Sequence, residues 1–226
     1  MSAVGMSDER KRRAWVGSAL FVGRLRPLGR WIRRSMRYMV WKPMRMLFCS
    51  PLRVEHLARL PREPVVFVSN HASHADTVVL LDVLARHRPL AVAAADDYWF
   101  KNRLRGLALA ASLGTFPFPR EGLRGLRRTE ELLAAGWSVL IYPQGTRGGG
   151  KFRSGIGRLA AAGAVLVPVG VVGTRDVLPK GASFPRRHAV SVRIGEALRL
   201  RDAQEAVRRA ERAVAELSKD PELGAA

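Results

Sequence analysis

Between residues 64 and 172 the chain alternates two hydrophobic rhythms. Short runs such as VVFV at 65–68 and SVLIY at 138–142 are apolar at consecutive positions, as in strands buried on both faces. Between them apolar residues recur at helical spacing, as in DTVVLLDVLAR at 76–86. The pattern predicts strands at 65–69, 89–95, 115–118, 138–142, 165–172 and 189–194. It predicts helices over 75–86, 98–112, 121–135, 154–163 and 201–218. Continuous apolar strands separated by helices imply an α/β fold, a mostly parallel sheet flanked by helices. No internal repeat or low-complexity tract interrupts it.

The N-terminal part follows another rule. From Leu28 to Val40, residues Leu28, Trp31, Ile32, Met36 and Met39 share one helical face, and Arg30, Arg33, Arg34 and Arg37 gather opposite. A basic amphipathic helix with Trp at its edge suits the surface of an anionic bilayer. Ala14 to Val22 reads as a partner helix, joined through a turn at Pro27 and Gly29. The expected organisation is residues 1–50 as basic amphipathic helices for membrane association and 51–226 as the α/β domain. The longest early apolar run, Ala14 to Gly23, contains two glycines and falls short of the roughly eighteen residues a spanning helix needs. Arg24, Arg26 and Pro27 follow it without a small-x-small cleavage pattern, so export is not expected.

Composition narrows the class. The chain has 226 residues, 47% of them hydrophobic, enough for one sizeable core with an appendage. Its net charge is +20, and residues 1–50 hold twelve Lys or Arg against two acids, so half of that excess lies in under a quarter of the length. An anionic partner is implied: lipid, phosphorylated substrate or nucleic acid. No zinc spacing, RNA-binding aromatic signature or groove-reading helix-turn-helix supports the last, and nucleic acid is not expected. The single cysteine, Cys49, excludes a disulfide framework and a cysteine metal cluster; no metal is expected.

In an open parallel sheet, ligands bind beyond the carboxyl ends of the strands. After the first predicted strand comes NHASHAD, with His71 at the strand end and Asp76 at a helix start. Across such a corner the two side chains can meet. A carboxylate there holds the imidazole and stabilises its protonated form, as a general base acting on a hydroxyl requires. After the extended piece at 115–118 comes Arg120, and after SVLIY comes PQGTRGGGKFRSG, which brings Arg147 and a glycine-rich backbone to the same edge. Guanidinium forks suit phosphate, and such a backbone approaches an anion closely. The loop is neither a Walker loop nor a dinucleotide fingerprint.

Taken in order, these blocks resemble the glycerolipid acyltransferase family that includes the lysophosphatidate acyltransferases. NHASHAD at 70–76 is similar to its NHxxxxD motif, Gly114 followed by Arg120 to its second, Gln144-Gly145-Thr146-Arg147 to its third and Val167-Pro168-Val169 to its fourth. The resemblance covers residues 50–175. It implies His71 as the base that deprotonates an acceptor hydroxyl, with Asp76 orienting it, and attack on an acyl thioester without a covalent acyl-enzyme. It implies Arg120, Gly145, Thr146 and Arg147 as ligands of the acceptor phosphate, Asn70, Gly114 and Gln144 as substrate-positioning residues, and Pro168 on the acyl-donor side. The third motif usually begins with Glu; Gln144 keeps the size but loses the charge and gains donors, which bears on acceptor choice. His74 has no implied role.

The expected function is transfer of a fatty acyl group from acyl-CoA or acyl carrier protein to a lysophospholipid, 1-acylglycerol 3-phosphate first among them. The thioester is a co-substrate, and no cofactor is expected. A lyso-ornithine lipid or a glycolipid intermediate is the alternative acceptor; a non-catalytic basic lipid- or nucleic-acid-binding protein is the reading outside the class. The expected place is the cytoplasmic face of the cell membrane, as a peripheral or monotopic protein.

Overall fold

The strand VFVS (β2, Val66–Ser69) is buried at every position, because it lies in the middle of the sheet with neighbours on both sides. The structure, a computed structural model, describes residues 26–86, 88–119, 123–145, 150–179 and 181–219. Around β2 stand β1 (Cys49–Glu55), β3 (Leu90–Ala95), β4 (Thr115–Phe118), β5 (Ser138–Ile141), β6 (Leu166–Val172) and β7 (His188–Ile194). The seven strands are ordered β1-β7-β6-β2-β5-β3-β4. All neighbours are parallel except β6 and β7. The mostly parallel α/β sheet read from the sequence is therefore the fold.

Alternation along β2 divides the core into two layers. Val65 and Phe67 pack with Val79, Leu80 and Leu84 of α3 (Ala75–Leu84). Val66 and Val68 face the other way, toward Leu132 of α6 (Arg124–Ala134), Leu159 of α7 (Gly155–Ala161) and Ala206, Ala210 and Val214 of α9 (Ala203–Leu217). Two glycines seat α9. A Cβ at Gly157 would collide with the Ala203 carbonyl, and one at Gly170 with the Leu217 carbonyl, so both ends of α9 rest directly on backbone.

The predicted helix over 98–112 is two: α4 (Asp96–Trp99) and α5 (Arg103–Leu113). Asn102 makes the break, its side-chain oxygen accepting from the Leu104 and Arg105 N–H groups at 2.9 and 3.2 Å. β1 was not foreseen; with Pro51, Arg53 and Glu55 in seven residues it lacks the continuous apolar signature, and it lies at the sheet edge, where Pro is tolerated. The short helix α8 (Thr174–Val177) was also not foreseen.

The predicted helix from Leu28 is α1 (Arg26–Met36), continued by a π-helical turn (Arg37–Trp41) and α2 (Lys42–Phe48). The predicted partner at 14–22 lies outside the described residues. α1 packs on α5, and its orientation is informative. Trp31 is 67% exposed and Met39 79%, while Arg33 turns inward over the Trp137 ring, 5.2 Å from its centre. Burial lowers the Arg33 pKa to about 10, which leaves it charged at neutral pH. Arg37 donates to the Asp82 carbonyl at 2.9 Å, Arg45 to the Asp82 carboxylate at 3.0 Å, and Arg86 of the next turn to the same carboxylate at 2.7 Å. The buried Asp82 on α3 thus fastens the N-terminal helices to the domain.

Removing that carboxylate leaves the largely buried Arg45 without its acceptor and Arg37 without its countercharge, an arrangement that typically costs about 3 kcal/mol or more. Asp82→Ala is expected to lower the urea midpoint accordingly and to open residues 37–48 to limited proteolysis. A midpoint and cleavage pattern equal to wild type would show that apolar packing alone holds these helices.

Candidate active site

The chain leaves β2 at Ser69 and turns through 70–74 into α3, and this corner is organised by one carboxylate. Asp76 is fully buried in the first turn of α3. Its Oδ2 accepts from the Ala72 and Ser73 N–H groups at 2.8 and 2.9 Å and faces His71 Nδ1 at 2.9 Å. Its Oδ1 accepts from the Thr174 hydroxyl, which arrives from the end of β6. Every partner donates, so the set suits an acceptor-only carboxylate. With Nδ1–H given to Asp76, the His71 tautomer leaves Nε2 as an acceptor.

Two further elements fix the loop. Asn70 exchanges two hydrogen bonds with the Val171 backbone, giving its amide to the carbonyl at 2.8 Å and accepting the N–H at 2.9 Å. From beyond β5, Gln144 Oε1 accepts the His71 backbone N–H at 3.2 Å. Tyr142 lays its ring on the imidazole, with centroids 4.2 Å apart and planes 20° from parallel, and its hydroxyl meets that of Thr77 at 3.0 Å. Burial and the nearby Asp76 push the Tyr142 phenol well above its ordinary pKa, so it stands as a neutral ring.

His71 opens on a mostly apolar cavity of about 670 Å³ beyond the carboxyl edge of the sheet. Ala93, Ala94 and Ala95 at the end of β3 leave it room; Trp41, Met44 and Phe48 wall it from the N-terminal helices. His74, Tyr98 and Trp99 also line it, with the His74 and Trp99 rings edge to face at 5.2 Å. Cys49 reaches the same cavity, but burial, with Asp76 nearby, pushes its thiol up to about 11. At neutral pH it is a thiol and not a nucleophile. Among the described residues no cluster of three His, Cys, Asp or Glu is placed to hold a metal ion.

A family model described as Acyltransferase matches residues 51–172, which contain both members of the His71–Asp76 pair. The chain belongs to the acyltransferase family. It is 29% identical over 160 residues to a chloroplastic 1-acyl-sn-glycerol-3-phosphate acyltransferase of Arabidopsis thaliana, covering 66% of this chain and 44% of that one. It is 34% identical over 152 residues to the lyso-ornithine lipid O-acyltransferase of Pseudomonas aeruginosa, covering 62% and 55%. The chain thus spans about half the length of the curated relatives it matches. Among solved structures it resembles PlsC, the 1-acyl-sn-glycerophosphate acyltransferase of Thermotoga maritima, with a TM-score of 0.66 at 22% identity, covering 94% of this chain and 88% of that one. That likeness establishes the acyltransferase fold.

The residues matched to the family's motifs are not all equal in position. His71, Asp76, Asn70 and Gln144 meet in one corner, and Gly145 lines the cavity with a positive φ of 70° beside the Arg153 side chain. Arg120, Thr146 and Arg147 lie outside the described residues. Gly114 is the left-handed cap of α5, φ 70°, with its carbonyl taking the Val92 N–H at 2.9 Å; it does not line the cavity. Pro168, expected on the acyl-donor side, is buried within β6 opposite Val68 and is not among the residues that line the cavity. Its carbonyl takes the Gly195 N–H at 2.8 Å, a sheet-to-turn contact. Thr174, Tyr142 and Thr77 were missed by sequence reasoning. Tyr142 directly follows β5 and Thr174 comes two residues after β6, the positions the carboxyl-edge rule already marks.

Gln144 is the member whose substitution is most informative, because the structure uses only its oxygen. Gln144→Glu keeps that acceptor and is expected to hold kcat within about threefold, whereas Gln144→Ala frees the His71 backbone and lowers kcat about tenfold, the order of one modest hydrogen bond. Steady-state kinetics on both variants checks this.

Proposed function

We propose that the chain transfers a fatty acyl group from an acyl thioester, acyl-CoA or acyl carrier protein, to the hydroxyl of a lysophospholipid, with 1-acylglycerol 3-phosphate giving phosphatidate as the leading case. The observation that carries this reading is the buried Asp76 holding His71 at the mouth of an apolar cavity. In this reading His71 Nε2 takes the hydroxyl proton as the oxygen attacks the thioester carbonyl. The carbon–sulfur bond then breaks, and the imidazolium returns the proton to the leaving thiolate. No acyl-enzyme is required, and no cofactor enters. Arg120, Thr146 and Arg147 are proposed to hold the acceptor phosphate, with Gly145 shaping their loop.

A second acceptor has support of its own. Gln144 replaces the acid at the head of the third motif, and one relative is named for a lyso-ornithine lipid. We keep that lipid as the alternative within the same chemistry.

We place the reaction on the cytoplasmic face of the cell membrane. Among the described residues no helix is long and apolar enough to cross a bilayer. The segment from α1 through the π-helical turn to α2 instead carries Trp31, Met39, Met46 and Leu47, all exposed, and Met44 of the same segment also lines the cavity. Phe184 is 83% exposed between Ser183 and Pro185, which line the cavity as well, and Arg186 and Arg187 follow it. Exposed apolar side chains with single-signed charge suit an anionic lipid surface.

Radiolabelled acyl transfer from both donors to a panel of lysolipids on anionic vesicles tests the reaction. His71→Ala and Asp76→Asn are expected to lower kcat by about 10²- to 10⁴-fold, the usual worth of a positioned general base, and unimpaired transfer by His71→Ala would refute it. Vesicle co-sedimentation tests the membrane. Trp31→Asp with Met39→Asp is expected to release the protein from anionic vesicles while leaving the melting temperature unchanged, since both side chains already face solvent.

A further inference from the structure

Tyr142 has no place among the motif residues, yet its ring lies nearer the His71 ring than that of His74 does, at 4.2 against 6.3 Å. The two rings lie 4.2 Å apart and within 20° of parallel. The tyrosine cannot drift, because its hydroxyl is tied to Thr77 at 3.0 Å on α3, the helix that also carries Asp76. Aspartate and tyrosine therefore constrain different freedoms of one imidazole: Asp76 fixes the edge at Nδ1, and Tyr142 fixes the plane.

The chemistry gives the stacked face a second consequence. During transfer the acceptor proton moves to Nε2 as the new carbon–oxygen bond forms and the carbon–sulfur bond breaks, so the ring is transiently a cation. A cation against an aromatic face is stabilised by the ring quadrupole. We propose that Tyr142 is a positioning residue that holds the plane of His71 and stabilises its imidazolium form, with Thr77 as the anchor that keeps the face in place. This rests on the reading of His71 as the general base. Among the described residues the other titratable groups around His71 are Asp76 and His74 from the same corner, and Cys49, Arg45, Tyr98 and Arg153 from the cavity wall. None of these is altered by changing Tyr142.

The sign follows. Without the aromatic face the imidazolium is less stable, the ring sheds its proton more readily, and the neutral base persists to lower pH. The acid limb of the kcat–pH profile should therefore move down, by about half a unit to one unit, while the maximal rate falls with the weaker base.

The test compares wild type, Tyr142→Leu, Tyr142→Phe, Thr77→Val and His71→Ala in acyl transfer on vesicles across pH, each checked by circular dichroism and thermal melting. Tyr142→Leu is expected to move the acid limb down and to lower kcat about tenfold with KM unchanged. Tyr142→Phe keeps the ring and is expected to leave the limb in place, with kcat down about threefold; Thr77→Val should match it. An unmoved limb in a folded Tyr142→Leu variant, or KM changing in place of kcat, overturns the proposal while the base assignment stands. Should Tyr142→Leu not fold, a Thr77→Val kcat equal to wild type overturns it equally. Full activity in His71→Ala removes the general base itself, a separate failure that the control reveals directly.

Discussion

The buried carboxylate of Asp76 is the constraint on which the site depends. Its four donors come from separate pieces of chain: the imidazole and two backbone N–H groups from the β2–α3 corner, and the Thr174 hydroxyl from beyond β6. A carboxylate taken out of water without such partners is expensive. Assembling them therefore requires β2, β6 and α3 to be in register before the charge can be buried at acceptable free energy. The same atoms that make burial tolerable also place the imidazole, so stability of the corner and geometry of the site are one requirement.

The N-terminal helices show the opposite economy. Most surface helices turn apolar residues inward and charges outward; α1 does the reverse with Arg33 and Trp31. What makes this possible is aromatic and anionic company inside: the Trp137 face for Arg33, and the Asp82 carbonyl and carboxylate for Arg37 and Arg45. The inward cations free the apolar side for something other than the core. They also bring Trp41, Met44 and Phe48 over the cavity, so the same segment supplies both an outward surface and an inner wall.

Much of this was legible in the sequence, for identifiable reasons. Central strands such as 66–69 announce themselves because burial on both faces demands continuous apolar residues. The His71–Asp76 pair was readable because a strand end and a helix start bracket it. β1 was not, since an edge strand needs only one apolar face and here tolerates Pro51, Arg53 and Glu55. Pro168 shows the limit of matching motifs: the match places it in the family's fourth block but does not reveal its burial within β6. Tyr142 shows the complementary limit, because a stacked ring leaves no spacing rule in one dimension. The inward turn of Arg33 depends on Trp137, a contact between distant parts of the chain that periodicity within α1 cannot encode.

The edge pairing of β1 has a consequence in time. Leu52 lies beside Val190 and Val54 beside Val192, so the strand that follows the cavity's N-terminal wall finds its neighbour only in the last strand of the sheet. Contacts this distant along the chain form late. A chain made from its N-terminus thus exposes the apolar face of α1 and α2 well before the strand that clamps their downstream end exists. The surface precedes the sheet edge, and the strand that follows the cavity's N-terminal wall is secured only when β7 is in place.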